Sequence, residues 1–265
     1  MDVPLARRIK DVARAVLPHV AFLTILFIAA DQLVRTGLVS RFTIPAFNDF
    51  LNALLNLPRN PDMPGSFTNH LIMTIYELGA AALIVVGVVL PLALLIGLRY
   101  TARRVFEPLL LAFFAIPSII LYPVIYLILG IGPPSKIAMG ALVGSTYTFI
   151  YVLNAVKHFD QSLVRMASTF TTSRFKILTK VAIPSIIPIM VSAIQLGISY
   201  AMVGVIVAEV IASSTGLGFL ISWSETTIRV PVMYATIAIT IIFAAVVYVS
   251  LKLFERWVRG RMKEI

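Results

Sequence analysis

Residues Asp160–Pro188 read DQSLVRMASTFTTSRFKILTKVAIPSIIP, and this is the longest polar interval between two strongly apolar blocks of the chain. It carries Arg165, Arg174, Lys176 and Lys180 and closes on Pro184 and Pro188. Asp160 suits the N-cap of a helix over LVRMASTF, because its carboxylate can accept the orphan amide protons of a first turn. Thr172 or Ser173 can cap a second short helix, SRFKILTKVA, which runs into the next apolar block. On the first helix Leu163, Met166, Ala167 and Phe170 recur at i, i+3, i+4 and i+7, so they share one apolar face. The pattern predicts a helix–turn–helix at a membrane surface, basic and placed where another protein could grip it.

The flanking sequence supplies the membrane. Apolar residues make up 59% of the 265 residues and charged ones 13%, against about 25% charged in soluble domains. Mean hydropathy is +0.96. Crossing about 30 Å of hydrocarbon takes about 20 apolar residues. Six segments qualify: Leu17–Val39, Leu71–Leu98, Val105–Leu129, Ile137–Val156, Val181–Ala212 and Met233–Leu253. The fifth is too long for one perpendicular span and is expected to tilt or to begin inside the surface helix. The basic N-terminus followed by an apolar run is read as a retained first span rather than a signal peptide, since no small-residue cleavage site follows. Between spans one and two, IPAFNDFLNALLNLP is amphipathic and too short to cross, so a helix lying on the outer leaflet is expected there. No loop has room for a soluble domain. The expected fold is all-α, a single transmembrane domain over residues 1–265 with the polar loop at 157–180 between spans four and five.

Charge placement sets the orientation. Of the 22 Lys and Arg, 17 fall in the N-terminal segment, the 99–104 turn, the 157–180 loop and the C-terminal tail. The other side has only Arg35, Arg41, Arg59, Lys136 and Arg229. By the positive-inside rule both termini and the loop are expected in the cytoplasm. The net charge of +10 is thus a topology signal, and nucleic acid is not an expected partner. The chain has no cysteine, which excludes disulfides, thiolate metal sites and Cys nucleophiles.

The loop resembles the cytoplasmic EAA loop of ABC-importer permeases, in the nitrate/taurine/sulfonate branch. Arg165, Met166 and Ala167 stand in the E-A-A places and Thr171 in the Gly place. Ser173-Arg174, Val181, Ile183-Pro184 and Pro188 match the rest. The head of the motif therefore departs from the family and its tail is intact. Two further segments are similar to the same branch: IPSIILYPVIYLILGIGPPSKI (Ile116–Ile137) to its third span and following turn, and VAEVIASSTGLGFLI (Val207–Ile221) to its A-E-x-I…G-L-G segment. The resemblance runs from about His70 to the C-terminus. It implies a type I ABC-importer permease fold of six spans in a bacterial cytoplasmic (inner) membrane. It also implies a permease dimer, most simply a homodimer, with two cytoplasmic ATP-binding subunits and an external solute-binding protein. The coupling helix would lie at Leu163–Phe170, with Thr171, Ser173 and Arg174 at its turn. The solutes of that branch are small anions (nitrate, sulfonates including taurine, bicarbonate), some vitamins and aromatic precursors.

The chain's own chemistry agrees with this division of labour. No G-x-x-x-x-G-K-[ST] is present to cradle a nucleotide, so ATP and Mg are expected in the partner ATPase and no cofactor in this chain. The histidines His19, His70 and His158 are scattered, and no metal site is expected. Rival readings are a self-contained secondary transporter or channel and a membrane-embedded enzyme. The first needs ionisable residues deep in several spans, and only Glu77 and Asp31 come near that. The second needs a catalytic constellation at membrane depth, and none is found.

Helical spacing picks out the faces that could line a path. In span five Ala193, Gly197, Ala201, Gly204 and Ala208 share a small-residue face suited to close packing. Ser192, Gln195, Ser199, Met202 and Glu209 fall on a separate, polar one. Tyr147, Tyr151 and Asn154 share a face of span four, which also carries Gly140 and Gly144. His70, Thr74 and Glu77 share a face near the outer end of span two. For Tyr147, Tyr151, Gln195 and Ser199 a wetted path and helix-to-helix hydrogen bonding both remain open. Glu209 is expected at the outer end facing water or a partner, because an unpaired carboxylate in lipid is costly. Glu77 is expected to pair with His70 or to meet solute.

Overall fold

A computed structural model describes residues 42–157 and 183–262, with five further positions between 32 and 40. Most of the first expected span and residues 158–182 lie outside the described residues. The described part is helical, and none of it is strand.

An amphipathic helix, α1 (Phe47–Asn56), precedes the first described span. It lies in the interval expected to hold a surface helix, exposes Phe47, Leu51 and Leu55, and packs against the last helix of the chain. The next span is one continuous rod, Phe67–Leu98. Its first part, α2 (Phe67–Ile84), is N-capped by Ser66, whose hydroxyl accepts the Asn69 amide. A π turn at Val85–Val89 leads into α3 (Leu90–Leu98), and the Leu90 amide reaches back five residues to the Val85 carbonyl. Pro91 has no N–H to offer the turn before it, so the ladder is already short of a donor where it widens.

The expected third span is not straight. Helix α4 (Tyr100–Phe114) and the following Ser118–Leu129 segment, which ends in α5 (Tyr122–Leu129), meet at 80°. Ala115–Pro117 forms the corner. Pro117 lacks an N–H and pushes Ile116 out of helical backbone, so a helix running toward it stops. The expected 99–104 turn is also much shorter: only Arg99 is extended before α4 begins, and Arg103 and Arg104 lie within that helix. Helix α6 (Pro133–Lys157) starts four residues before the expected boundary and α7 (Ile183–Ile211) forms one unbroken rod. A short helix, α8 (Leu217–Thr226), follows, and α9 (Val230–Met262) closes the described chain. Among the described residues, four helices are long and apolar enough to cross a membrane, or five if the bent pair counts as one span.

The core is the seam between α6 and α7, the most extensive helix contact among the described residues. Glycines permit it. A Cβ on Gly144 would lie 2.6 Å from the Gly197 carbonyl oxygen, and one on Gly140 would lie 2.6 Å from Val205 Cγ2. Ala193, Ala201 and Ala208 are fully buried on the same face. The small-residue face expected of span five is therefore a packing face, and Gly140 and Gly144 meet it, as the GxxxG spacing suggested. Val85, from the π turn, wedges against both Gly144 and Gly197, so three spans meet at one level. Without a hydrophobic drive between helices in lipid, such close backbone approach supplies dispersion contact. Outward-facing Leu83, Leu109, Leu127, Ile128, Ile241 and Ile242 are all exposed, as a lipid-facing belt requires.

Candidate functional site

Two constellations stand out on this frame: a closed polar cluster at the α6 N-terminal end of the bundle and an open recess along the C-terminal half of α6.

The cluster is built from α2, α6, α7 and the turn before α8. Positions 70, 74 and 77 are one face of α2, and His70, Thr74 and Glu77 are all buried. Glu209 stands two residues before the end of α7 and is 1% exposed. Its Oε1 accepts the Thr74 hydroxyl at 2.6 Å and its Oε2 accepts the Gly218 amide at 2.8 Å. Thr74 Oγ1 in turn accepts the Leu217 amide at 2.9 Å, and His70 Nδ1 accepts the Gly216 amide at 3.1 Å. Side chains from two other helices thus satisfy three successive amides at the start of α8, which would otherwise be orphaned. The amide also fixes the histidine tautomer. Because Nδ1 accepts, the hydrogen sits on Nε2, which donates to the Pro64 carbonyl at 2.7 Å.

The Gly216-Leu217-Gly218 sequence is required by this geometry. Gly216 has φ +107°, and a Cβ there would overlap the Glu209 carboxyl. A Cβ on Gly218 would lie 2.5 Å from the Ile206 carbonyl oxygen. One turn further along α2, Glu77 Oε1 receives Lys136 Nζ at 3.0 Å, and both side chains are almost completely buried. Lys136 lies in the first turn of α6, where the helix dipole disfavours a cation. The Glu77 carboxylate offsets that as well as neutralising the charge. Glu77 Oε2 has no hydrogen-bond partner among the described residues.

Two expectations are corrected here. Glu77 pairs with Lys136 rather than with His70, which is taken by backbone groups on both ring nitrogens. Glu209 does reach the end of its helix, but it is enclosed by Thr74 and the 216–218 backbone instead of facing water. The chain folds back through Gly216 and covers it. His70, Glu77 and Glu209 therefore form a closed clamp and face no open space. Lys136 is expected from sequence as an outer charge and as part of the turn that closes the Ile116–Ile137 segment, with no partner assigned. The signal for a partner is that a lone lysine at the start of an apolar span needs one.

The recess is different. Tyr147, Ile150, Tyr151, Asn154 and Ala155 run as a stripe down α6 and, with Leu196 of α7, line an open cavity of about 360 Å³. The Tyr147 ring stacks on Tyr200 of α7 with the planes 8° apart, and Tyr147 remains 38% exposed. Tyr147 and Tyr151, paired from sequence, are thus brought together, whereas Gln195 and Ser199 are partly buried on α7 beside Leu196. The Ser199 hydroxyl has no hydrogen-bond partner among the described residues. Tyr200 was missed, because it falls between the two faces drawn for span five. The proposed coupling residues Leu163, Arg165, Met166, Ala167, Phe170, Thr171, Ser173 and Arg174 lie outside the described residues. Near that segment, Lys157 pairs with Glu107, and Ser192 joins Glu255 and Arg259, tying α7 to α9. No group of His, Asp or Glu among the described residues could hold a metal ion.

A chain whose described residues are helical, with four or five apolar crossing helices among them, glycine-packed spans and a buried ion pair, is a polytopic membrane protein. Residues 89–263 match the model of the binding-protein-dependent transport system inner membrane component, and the chain belongs to that family. It is 24% identical over 255 residues to the taurine transport system permease protein of Escherichia coli (strain K12), covering 95% of this chain and 93% of that one. It is 28% identical over 154 residues to the riboflavin transport system permease protein of Chloroflexus aurantiacus, 58% of each chain. A putative aliphatic sulfonates transport permease of Bacillus subtilis (strain 168) is 26% identical over 159 residues, 60% of this chain and 58% of that one. The resemblance read from the loop and the two outlying segments is borne out at the level of the family.

Proposed function

We propose that this chain is the membrane-spanning subunit of an ATP-driven importer. It would work as a pair of permeases with two ATP-binding subunits on the cytoplasmic side and a solute-binding protein outside. The observation that carries this reading is the family match over residues 89–263, which takes in the α6–α7 seam and its recess. Six spans are read from the apolar segments, and the placement of 17 of the 22 Lys and Arg on one side supports cytoplasmic termini. In this scheme the solute is small, of the organic or inorganic anion classes (sulfonate or taurine, nitrate, bicarbonate, aromatic acid). It passes between two copies along the open α6 stripe. The clamp of His70, Thr74, Glu77, Lys136 and Glu209 lies outside the path and fixes the α8 turn to α2, so that the outer end moves as one piece.

Coupling would run through Leu163–Phe170, whose apolar face docks in a groove of the ATPase, with Thr171 passing the motion toward span five. Arg165 in place of the family's Glu would face the groove rim. Changing Met166→Asp and Phe170→Asp together is expected to release the ATPase from a permease that still inserts. If the ATPase co-purifies with that double variant and hydrolysis stays coupled to uptake, the loop is not the coupling element.

A further inference from the structure

We propose that the α6 recess holds the flat aromatic or heteroaromatic ring of the transported solute. This inference rests on the importer reading and narrows it to ring-bearing solutes. The size is right: about 360 Å³ lies within the range of small-molecule sites. Its first lining residue, Tyr147, stands 14 residues into the 25-residue α6, and the lining runs from there to Ala155 along the C-terminal half of the helix.

The lining decides the chemistry. Its polar groups are two phenol hydroxyls and one carboxamide, and the rest is aliphatic. Tyr147 is backed by Tyr200 in a near-parallel stack, which fixes the ring and leaves part of it uncovered. A rigid aromatic face recognises another ring by offset stacking and large apolar contact.

Charge argues against a bare inorganic or short aliphatic anion as the group held here. The two cations of α6 are both committed, Lys136 to Glu77 and Lys157 to Glu107. Helix α7 carries no Lys, Arg or His. A sulfonate, carboxylate or nitrate seated against these walls would meet no counter-ion from α6 or α7, so the water it gives up on that side is not replaced by a paired charge. A ring meets no such cost. Any anionic group on the solute would stay in the water of the path.

The test uses the assembled permease–ATPase complex in nanodiscs, without binding protein, and saturation-transfer NMR with p-toluenesulfonate, 4-aminobenzoate and riboflavin against taurine. At least one ring compound is expected to receive saturation on its ring protons while taurine receives none. Tyr147→Leu should weaken that binding about threefold to tenfold, the range a stacked aromatic pair is worth, and Tyr147→Phe should retain it. Taurine binding as well as the ring compounds, no ring compound binding, or Tyr147→Leu matching the unaltered chain would each overturn the proposal. Should Tyr147→Leu fail to assemble, Tyr151→Leu read in the same way decides. Failure of the importer reading is separate, since it would show as a chain that recruits no ATPase.

Discussion

Replacing Lys136 by Met probes the clamp most sharply. Lys136 and Glu77 are 2% and 0% exposed at the side chain and 3.0 Å apart, so neither can be rehydrated without opening the α2–α6 contact. Removing the ammonium leaves Glu77 buried with no cation beside it, and one of its oxygens already lacks a donor. Breaking one half of a buried pair costs about 3–5 kcal/mol, whereas replacing both halves by apolar groups of similar size is often neutral. Lys136→Met alone should therefore lower the thermal unfolding midpoint of the purified permease strongly. Lys136→Met combined with Glu77→Leu should recover most of the loss. The assay is a fluorescence-detected gel-filtration melt of the two single variants and the double. The reasoning fails if the Lys136→Met midpoint is unchanged, or if the double variant is as damaged as the sum of the singles.

Other consequences are independent of that pair. Glu209→Ala strands the Gly218 amide, at about 1–3 kcal/mol for a buried group, while the Thr74 hydroxyl can still donate to the His70 carbonyl at 3.2 Å. Glu209→Gln can still accept from Gly218, so the same melt should show it clearly milder. Gly144→Leu cannot be accommodated against the Gly197 carbonyl, and folded yield should collapse, whereas Gly260→Ala, with nothing within 4 Å of its Cβ, should leave yield unchanged. Asp62→Ala removes an exposed pair with Arg229 and should shift stability by less than about 1 kcal/mol, read from the same melts. Ser168→Cys introduces a single thiol into a cysteine-free chain. If residues 157–180 are cytoplasmic, an impermeant thiol reagent should not label it in intact cells, and ready labelling would reverse the orientation.

The parts legible in the sequence were those carried by period and composition. Span length marked α2–α3, α6, α7 and α9, and the spacing of Ala193, Gly197, Ala201 and Gly204 marked the seam before any partner was known. The 80° corner at Ala115–Pro117 was not read, because hydropathy runs through it unbroken and only Pro117 hints at the break. The clamp was half legible. His70, Thr74, Glu77 and Glu209 could each be flagged as polar residues in apolar helices, yet which one pairs with which depends on the long-range return of Gly216 onto α2. Sequence spacing within a helix favoured His70–Glu77. The fold gave Glu77 to Lys136, 59 residues away, because an ammonium neutralises a buried carboxylate and a neutral imidazole does not. The stacking of Tyr147 on Tyr200 likewise depends on the register of two helices.

The most direct measurement of the central claim is solute uptake into proteoliposomes holding this permease and its ATPase, with the binding protein outside. If the chain is the permease of an ATP-driven importer, uptake requires internal ATP and the binding protein together and stops when either is withheld. An imposed ion gradient should not replace them. Uptake that persists without ATP, or that follows an ion gradient in the permease alone, would make the chain a self-contained transporter and contradict the account.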